Sequence, residues 1–263
     1  MNTVLVVIPA RYESVRFPGK PMADLGGQPM IAQVWQRARQ LAHADRLIIA
    51  TDDSRIVACA HGFGAETRLT ASFHKNGTER MAEVAASLPY PVVVNLQGDL
   101  PLFSPKTLDR IIVEGTHLIL SRQAECVTVK AAITSQEELL SPHIVKVVSD
   151  PSGSALYFSR SPIPYLQKIN ADTLPPIFYR HYGIYMFHLE FLLRLAKSDE
   201  GVLEKAEQLE QLRVLELGGR IHVIEIPRHD AAHFFEVNHP EDLVIARKIL
   251  KAQTALPEKQ AAL

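Results

Sequence analysis

Residues 4–20 read VLVVIPARYESVRFPGK, and this stretch decides the fold class. An apolar strand at residues 4–8 runs into a loop that carries Arg11, Arg16 and Lys20. Cations spaced so closely repel one another unless an anion lies among them. The loop contains neither the G-x-x-x-x-G-K pattern of a P-loop nor the G-x-G-x-x-G pattern of a dinucleotide site. We therefore expect it to bind a triphosphate in a different type of α/β site.

The first half of the chain alternates apolar runs with segments of helical period. After the first strand, one helical face collects apolar residues: Ile31, Val34, Trp35, Ala38 and Leu41. Strand–helix alternation predicts an α/β fold with a doubly wound, mostly parallel sheet. Its ligands should lie off the carboxyl ends of the strands. Polar residues follow three of those ends, at residues 11–20, 51–53 and 97–99.

The second half is less regular and richer in strands. It predicts two strands joined by a Pro-Ser-Gly turn within 145–160, an extended loop at 162–176, a strand at 179–187, helices around 188–197 and 204–217, a strand at 220–226 and a last helix after Pro240. We predict a single domain over residues 1–263, with an inserted β-rich excursion at about 120–185 and a flexible tail at about 253–263.

Composition limits the function classes. The 263-residue chain is 47% apolar with a formal net charge of −1, which disfavours general nucleic-acid or membrane-surface binding. Cys59 and Cys126 form no C-x-x-C, so neither a disulfide framework nor a zinc site is indicated. No export signal and no apolar run of ~20 residues is present, so we expect a soluble cytoplasmic protein.

Asp99 is the candidate metal ligand. It lies just past a buried apolar run, and Mg²⁺ typically binds one or two carboxylates together with phosphate oxygens. Asp99 could equally cap the following helix or the turn at Pro101. The triphosphate loop favours the metal interpretation.

Seven motifs occur in order along the chain: IPARYESVRFPGKP, ATDD, NGTER, VNLQGDLP, VKVVSDPSGSALYFSRSPIP, YRHYGIY and AEQLEQLRVLELGGRIHV. With them, residues 3 to 250 resemble the 3-deoxy-manno-octulosonate (KDO) cytidylyltransferase family, also called CMP-KDO synthetases. The resemblance implies a Rossmann-like nucleotidyltransferase fold whose excursion mediates dimerisation. It also implies that CTP and KDO give CMP-KDO and pyrophosphate for lipopolysaccharide synthesis, with Mg²⁺, in a cytoplasmic homodimer.

The resemblance also implies roles for individual residues. The nucleotide would contact Ala10, Arg11, Arg16, Lys20, Asn76, Gly77 and Arg80. The sugar acid would contact Gln97, Arg160, His181, Tyr185, Glu210 and Gln211. Metal ligands would be Asp99 and Asn238, and the catalytic residues would be Arg11, Lys20 and Asp99.

The sugar residues suit an anionic, hydroxyl-rich ligand. Arg160 and His181 can supply positive charge, and Glu210 with Gln211 can supply acceptors and donors. The helical spacing places Glu207 and Glu210 on one face with Gln211. Without the resemblance, this segment would indicate an ordinary solvated helix face.

Three positions depart from the family pattern. Leu100 replaces a glutamate after QGD, Asn76 replaces a serine, and Asn238 replaces the second metal-binding aspartate. An amide keeps one oxygen ligand but lacks the negative charge, so we expect an active enzyme with a raised Mg²⁺ requirement.

Alternative functions follow from these departures. The substrate could be a KDO variant such as 8-amino-KDO, or another acidic sugar such as a sialic acid, although YRHYGIY and EQLEQLR favour KDO. A non-catalytic nucleotide-binding paralogue is disfavoured by the retained charged residues Arg11, Arg16, Lys20 and Asp99. His229 and His233 are four residues apart, a spacing that could bind zinc on a helix, and His239 follows closely, but a loop is predicted there.

Overall fold

The computed structural model describes residues 3–14, 17–167 and 174–260, with side chains to residue 253. It divides into two compact units. The first unit comprises Met1–Pro89, Asn95–Arg110 and Ala232–Leu263, and the second comprises Tyr90–Val94 and Ile111–Ala231. The single nucleotidyltransferase domain predicted for residues 1–263 stays a prediction.

The described residues contain nine strands and ten α-helices. The strands are β1 (Val4–Pro9), β2 (Arg46–Thr51), β3 (Thr67–Leu69), β4 (Val92–Asn95), β5 (Cys126–Ala132), β6 (Lys146–Ser149), β7 (Ala155–Ser159), β8 (Tyr179–His188) and β9 (Ile221–Glu225). The helices are α1 (Met30–Ala38), α2 (Ser54–Gly62), α3 (Gly77–Ala85), α4 (Pro105–Leu120), α5 (Gln136–Leu140), α6 (Leu189–Ala196), α7 (Val202–Glu207), α8 (Gln211–Glu216), α9 (Arg228–Ala231) and α10 (Asp242–Gln260).

The first unit contains three parallel strands in the order β3-β2-β1. The register runs from Leu5 opposite Arg46 to Pro9 opposite Ala50. Residues 4–8 are buried throughout, as expected for a parallel strand covered on both faces. The strand–helix alternation read from the sequence is therefore confirmed, and it places the ends of β1 and β2 side by side.

The second unit contains strands β5 to β9 and most of β4. Within it, β8 lies between β4 and β5 and is antiparallel to β5, whereas β9 is parallel to β5. β6 pairs antiparallel with β7 and with β8. The predicted turn between β6 and β7 is confirmed, because the Asp150 carboxylate accepts hydrogen bonds from the backbone N–H of Ser152 and Ser154.

The α/β class with a mostly parallel central sheet and a β-rich excursion is also confirmed. Dimerisation through that excursion stays a prediction.

The single helix predicted over residues 204–217 is wrong. Gln208 adopts a left-handed conformation (φ 55°), which ends α7 at Glu207, and α8 begins at Gln211. Glu207 therefore shares no helical face with Gln211. The described part of the predicted tail is helical, since α10 extends to Gln260, and the flexibility of the tail stays a prediction.

Candidate active site

The loop that follows β1 is closed by contacts to its tyrosine, Tyr12. The backbone N–H of Gly19 donates to the Tyr12 carbonyl oxygen (2.9 Å), and the Arg55 guanidinium lies over the Tyr12 ring at 3.4 Å. Gly19 has φ 70°, and a side chain there would meet the Tyr12 ring at 3.3 Å, so this turn favours glycine. Arg11 is exposed on this loop, and Arg16 lies outside the described residues. Ala10 is buried, with its N–H donating to the Ala50 carbonyl (2.8 Å).

Lys20 joins three segments of the first unit. Its ammonium donates to the Asp99 carboxylate at 2.6 Å and to the Val237 carbonyl oxygen at 2.9 Å. The loop carrying Asp99 approaches β1 so closely that a Cβ on Gly98 would lie 2.6 Å from the Pro9 carbonyl oxygen. The structure thus brings Lys20 and Asp99 together at the end of β1, as expected for ligand groups of an α/β sheet.

An apolar cluster holds the segment before Asn238 beside this pair. It consists of Leu25, Met30, Leu102, Val237, Leu243 and Ala246. Two backbone hydrogen bonds set the register: Phe235 N–H to the Leu102 carbonyl (2.9 Å) and Val237 N–H to the Asp99 carbonyl (2.8 Å). Asn238 follows Val237 directly and is half-buried, so the two predicted metal ligands lie on adjoining segments.

The donor set around Asp99 fits Mg²⁺. The Asp99 carboxylate and the amide of Asn238 on the adjoining segment, completed by substrate phosphate oxygens, are of the types that usually bind this ion in proteins. The ammonium of Lys20 at 2.6 Å shows that the Asp99 carboxylate already accommodates positive charge. Within the described part of the chain, no group of three or more His, Cys, Asp or Glu side chains could hold a metal ion by itself.

The start of α3 supplies the second group of predicted nucleotide contacts. Asn76 caps the helix, its side-chain oxygen accepting from the Glu79 N–H (2.9 Å). Gly77 packs against Pro9, where a Cβ would meet the proline ring at 3.1 Å. A capped helix N-terminus at the end of β1 favours a phosphate group.

Arg80 is occupied by protein partners. Its side chain is buried and donates to the Asp52 carboxylate (2.9 Å) and to the Thr70 hydroxyl. In this arrangement it holds the segment leading to α3, and its contact with nucleotide stays a prediction.

Asn95 is not among the residues predicted from the sequence. This residue ends β4, is fully buried, and has neither side-chain amide atom hydrogen-bonded within the described part of the chain. Its amide nitrogen lies 3.9 Å from the Cβ position of Gly77. Buried amides are normally paired, so Asn95 requires an explanation. The available signal was an asparagine ending the apolar run VVVN.

Gln97 and Leu100 lie on either side of Asp99, on the loop that follows β4. Gln97 is half-buried, and its carbonyl oxygen accepts from the Leu100 N–H (3.1 Å). Leu100 itself is buried, so the residue that replaces the family's glutamate packs into the first unit.

In the second unit, Arg160 lies at the end of β7 and is held mainly by backbone oxygens. Its guanidinium donates to the carbonyls of Pro142 (3.0 Å), Glu207 (3.0 Å) and Gln208 (3.4 Å). The Glu207 carboxylate accepts from the Arg160 backbone N–H (3.0 Å) and from the Ser159 hydroxyl (2.6 Å). The guanidinium of Arg160 is therefore bound to neutral carbonyl oxygens at a half-buried position, where a carboxylate can bind.

The start of α8 presents Glu210 and Gln211. Gln211 is buried, and its side-chain nitrogen has no hydrogen-bond partner among the described residues. A buried ion pair fixes the helix: Arg213 donates to the Glu204 carboxylate of α7 at 2.6 Å and 2.5 Å. An unpaired donor on a rigid helix suits an oxygen-rich ligand.

His181 and Tyr185 lie on one face of β8, with ring centroids 5.5 Å apart. Burial lowers the pKa of His181 to about 3, with Arg180 as a second cause. The prediction that His181 supplies positive charge is therefore wrong, because its ring is neutral near pH 7. Its place in the sugar site stays a prediction.

The hydrogen bond to Thr128 determines which nitrogen of His181 is available. The Thr128 hydroxyl has one proton, and the Ile184 carbonyl oxygen lies 2.8 Å away to accept it. The hydroxyl oxygen then accepts from His181 Nε2 at 2.9 Å. This tautomer leaves Nδ1 as an acceptor.

The predicted loop around His229 contains a short helix. α9 ends at Ala231, before His233, so the histidines do not share a helix. His229 is exposed and lies 3.5 Å from the Asp230 carboxylate.

Comparisons with known proteins identify the family of the chain. The Cytidylyltransferase family profile matches residues 5–221. A 3-deoxy-manno-octulosonate cytidylyltransferase from Pelobacter propionicus is 41% identical over 95% of this chain and 98% of its own length. The chain belongs to this family.

Further relatives support the assignment. A 3-deoxy-manno-octulosonate cytidylyltransferase from Syntrophotalea carbinolica is 42% identical over 92% of this chain and 96% of its own length. The solved structure of a CMP:2-keto-3-deoxy-manno-octonic acid synthetase complexed with CTP is 35% identical, with a TM-score of 0.86. It covers 95% of this chain and 99% of its own. The chain is therefore a nucleotidyltransferase of the family that the sequence motifs indicate.

Proposed function

We propose that this protein activates KDO with CTP, giving CMP-KDO and pyrophosphate. The observation that carries the proposal is the contact between Lys20 and Asp99 at the end of β1. It joins a cation-rich loop to a carboxylate within a chain 41% identical to a KDO cytidylyltransferase. A nucleoside triphosphate requires both charges, positive for its phosphates and negative for its metal ion.

The first unit supplies the residues that act on the phosphates of CTP. The anomeric hydroxyl of the sugar attacks the α-phosphorus and releases its proton to solvent. The bond from the α-phosphorus to the oxygen that bridges to the β-phosphate breaks, and pyrophosphate leaves. Arg11 and Lys20 neutralise phosphate charge, and positioning supplies most of the rate. Asp99 and Asn238 would hold Mg²⁺, which when bound neutralises charge on the phosphates. Lys20 has to share its ammonium between Asp99 and the incoming phosphates.

The second unit supplies the groups that recognise the sugar acid. Arg160 provides the positive charge for the carboxylate, since His181 is neutral. Gln211 offers its unpaired nitrogen to a sugar hydroxyl, and His181 Nδ1 offers an acceptor. This division of donors and acceptors suits a polyhydroxylated acid.

The proposal extends to Mg²⁺ as cofactor, a homodimer and a cytoplasmic location. They are supported by the family resemblance. In the described part of the chain, no helix is long and apolar enough to cross a membrane. Sedimentation of the purified protein tests the homodimer, with an expected mass of twice the 29.3 kDa chain.

A pyrophosphate-release assay tests the proposed function. The purified protein is given CTP, Mg²⁺ and, in turn, KDO, 8-amino-KDO and a sialic acid. We expect KDO to give the highest kcat/KM. Higher kcat/KM with another sugar would reassign the substrate, and binding of CTP without turnover of any sugar would identify a non-catalytic paralogue.

A further inference from the structure

Lys146 is a fully buried cation of the second unit that the family motifs leave without a role. It begins β6, and its ammonium donates to the backbone carbonyls of Ser141 (2.9 Å), Ile144 (2.7 Å) and Arg160. An ammonium has three N–H donors, and all three are used here. Each acceptor is a neutral oxygen, so these bonds satisfy Lys146 without cancelling its charge.

Lys146 and Arg160 share the same supporting loop. The carbonyls of residues 141 and 144 bind Lys146, and the carbonyl of Pro142 between them binds the Arg160 guanidinium. Lys146 also binds the Arg160 carbonyl, so it fixes the backbone from which the guanidinium extends. Moving Lys146 would therefore move Arg160.

The charges around this loop do not balance. Two cations, Lys146 and Arg160, are held together with one carboxylate, Glu207, which is bound to the Arg160 N–H and the Ser159 hydroxyl. Burial lowers the pKa of Lys146, Arg160 lowers it further, and Glu207 opposes both. These directions agree with a surplus of positive charge next to Arg160.

A second buried lysine of the same unit shows the contrasting arrangement. Lys130 on β5 donates to the Ser149 hydroxyl (2.7 Å), lies 4.0 Å from the centroid of the Tyr179 ring and is 3.8 Å from the Glu225 carboxylate. Its charge has its own carboxylate partner. Lys130 is therefore a matched control for a buried lysine without one.

We propose that Lys146 is a positioning residue of the sugar-acid site, which fixes Arg160 through its carbonyl and adds an uncompensated positive charge behind it. The ligand of this charge is the carboxylate of the acidic sugar, so the inference rests on the proposed function. In a site with a low effective dielectric, a second cation strengthens the binding of an anion without touching it. The negative charge of Glu207 weakens the binding of the sugar carboxylate.

The charge of the ligand separates this role from simple support of the fold. The experiment uses the full-length protein at saturating CTP and Mg²⁺. It measures the KM of KDO and the competitive inhibition constant of its C1 carboxamide, which keeps the shape but lacks the charge. Lys146→Met should weaken acid binding at least tenfold, about 1.4 kcal/mol, and carboxamide binding much less. Glu207→Gln should strengthen acid binding relative to the carboxamide by several-fold.

The controls are the KM of CTP, which should not change in either variant, and Lys130→Met, which should leave the preference for the acid intact. The proposal is overturned if Lys146→Met weakens acid and carboxamide equally, since Lys146 then only supports the fold. If Lys146→Met does not fold, an unchanged preference in Glu207→Gln overturns it. If the natural protein turns over no acidic sugar, the proposed function fails as well, so the two failures are distinguishable.

Discussion

The ammonium of Lys20 contacts a carboxylate at 2.6 Å, and the phosphates of a nucleotide have to compete for it. Lys20→Ala and Arg11→Ala should each reduce turnover by at least ~10²-fold, the scale for removing one group that stabilises developing charge. The measurement is kcat from pyrophosphate release. The exposed Lys106→Ala and Arg39→Ala serve as controls. Near-native turnover in both loop variants would mean that the loop is not the triphosphate site.

Asp99 is the carboxylate of the predicted metal site, and its side chain is 28% exposed. Asp99→Asn should abolish turnover and leave the thermal unfolding temperature close to that of the natural protein. An amide removes the charge but keeps the shape and one acceptor for Lys20. The exposed Asp199→Asn is the matched control. Normal activity of Asp99→Asn at limiting Mg²⁺ would remove Asp99 from the metal site.

Asn238 offers an amide oxygen on the segment bonded to Asp99 through Val237. Asn238→Asp should lower the Mg²⁺ concentration giving half-maximal rate by roughly tenfold, because a carboxylate binds a hard cation more tightly than an amide does. The KM of the sugar should change little. Initial rates are titrated with Mg²⁺ for both proteins. An identical response to the metal would show that position 238 is not a ligand, whereas rescue of an inactive natural protein would identify a decayed enzyme.

At the scale of residues, the sequence allowed one proximity to be predicted, whereas the roles of the site residues stay predictions. Lys20 and Asp99 could be placed together, because the carboxyl ends of parallel strands adjoin. The buried and unpartnered amide of Asn95 among the described residues could not be predicted, since it depends on burial by several segments. Lys146 resembled an ordinary polar residue of a half-buried strand, and only the folded loop reveals its three carbonyl partners.

At the scale of elements, α7 and α8 depend on a buried ion pair. Arg213→Met should destabilise the protein by about 3–5 kcal/mol, because it leaves the Glu204 carboxylate buried without its partner. Arg122→Met is the matched control, since its pair with Glu190 is largely exposed and should contribute about 0–1 kcal/mol. Urea unfolding measures both. An equal decrease in the free energy of unfolding for both variants would mean that burial does not govern the strength of these ion pairs.

The same elements show where sequence periodicity fails. The apolar spacing over residues 204–217 continues through Gln208, and no glycine or proline interrupts it. Tertiary packing nevertheless holds Gln208 in the left-handed region and splits the helix. The strands β1 and β2 were predictable, because a strand of a parallel sheet is buried on both faces and therefore appears in the sequence as a continuous apolar run bounded by polar residues.

At the scale of the whole molecule, the mostly parallel sheet requires its central strands to be covered, and some polar side chains are buried with them. His181 is 8% exposed and neutral, whereas the unfolded chain exposes it to water. Below its ordinary pKa of about 6.5, the unfolded state binds a proton that the folded state does not. Stability should therefore decrease as the pH falls from about 6.5 towards 3, the folded-state value.

His181→Gln isolates this contribution. The free energy of unfolding of the natural protein, relative to the variant, should fall by roughly 1.4 kcal/mol for each pH unit between about pH 6 and pH 4. Other buried histidines and the carboxylates act equally on both proteins, so the difference reports His181 alone. His229→Gln is the control for the substitution itself, because the His229 side chain is 81% exposed. Parallel pH profiles for the natural protein and His181→Gln would show that His181 takes up a proton in the folded state near its ordinary pKa. In that case His181 would be positively charged in the folded protein at acidic pH. Arg160 would then share the binding of the sugar carboxylate with a second cation among the predicted sugar residues.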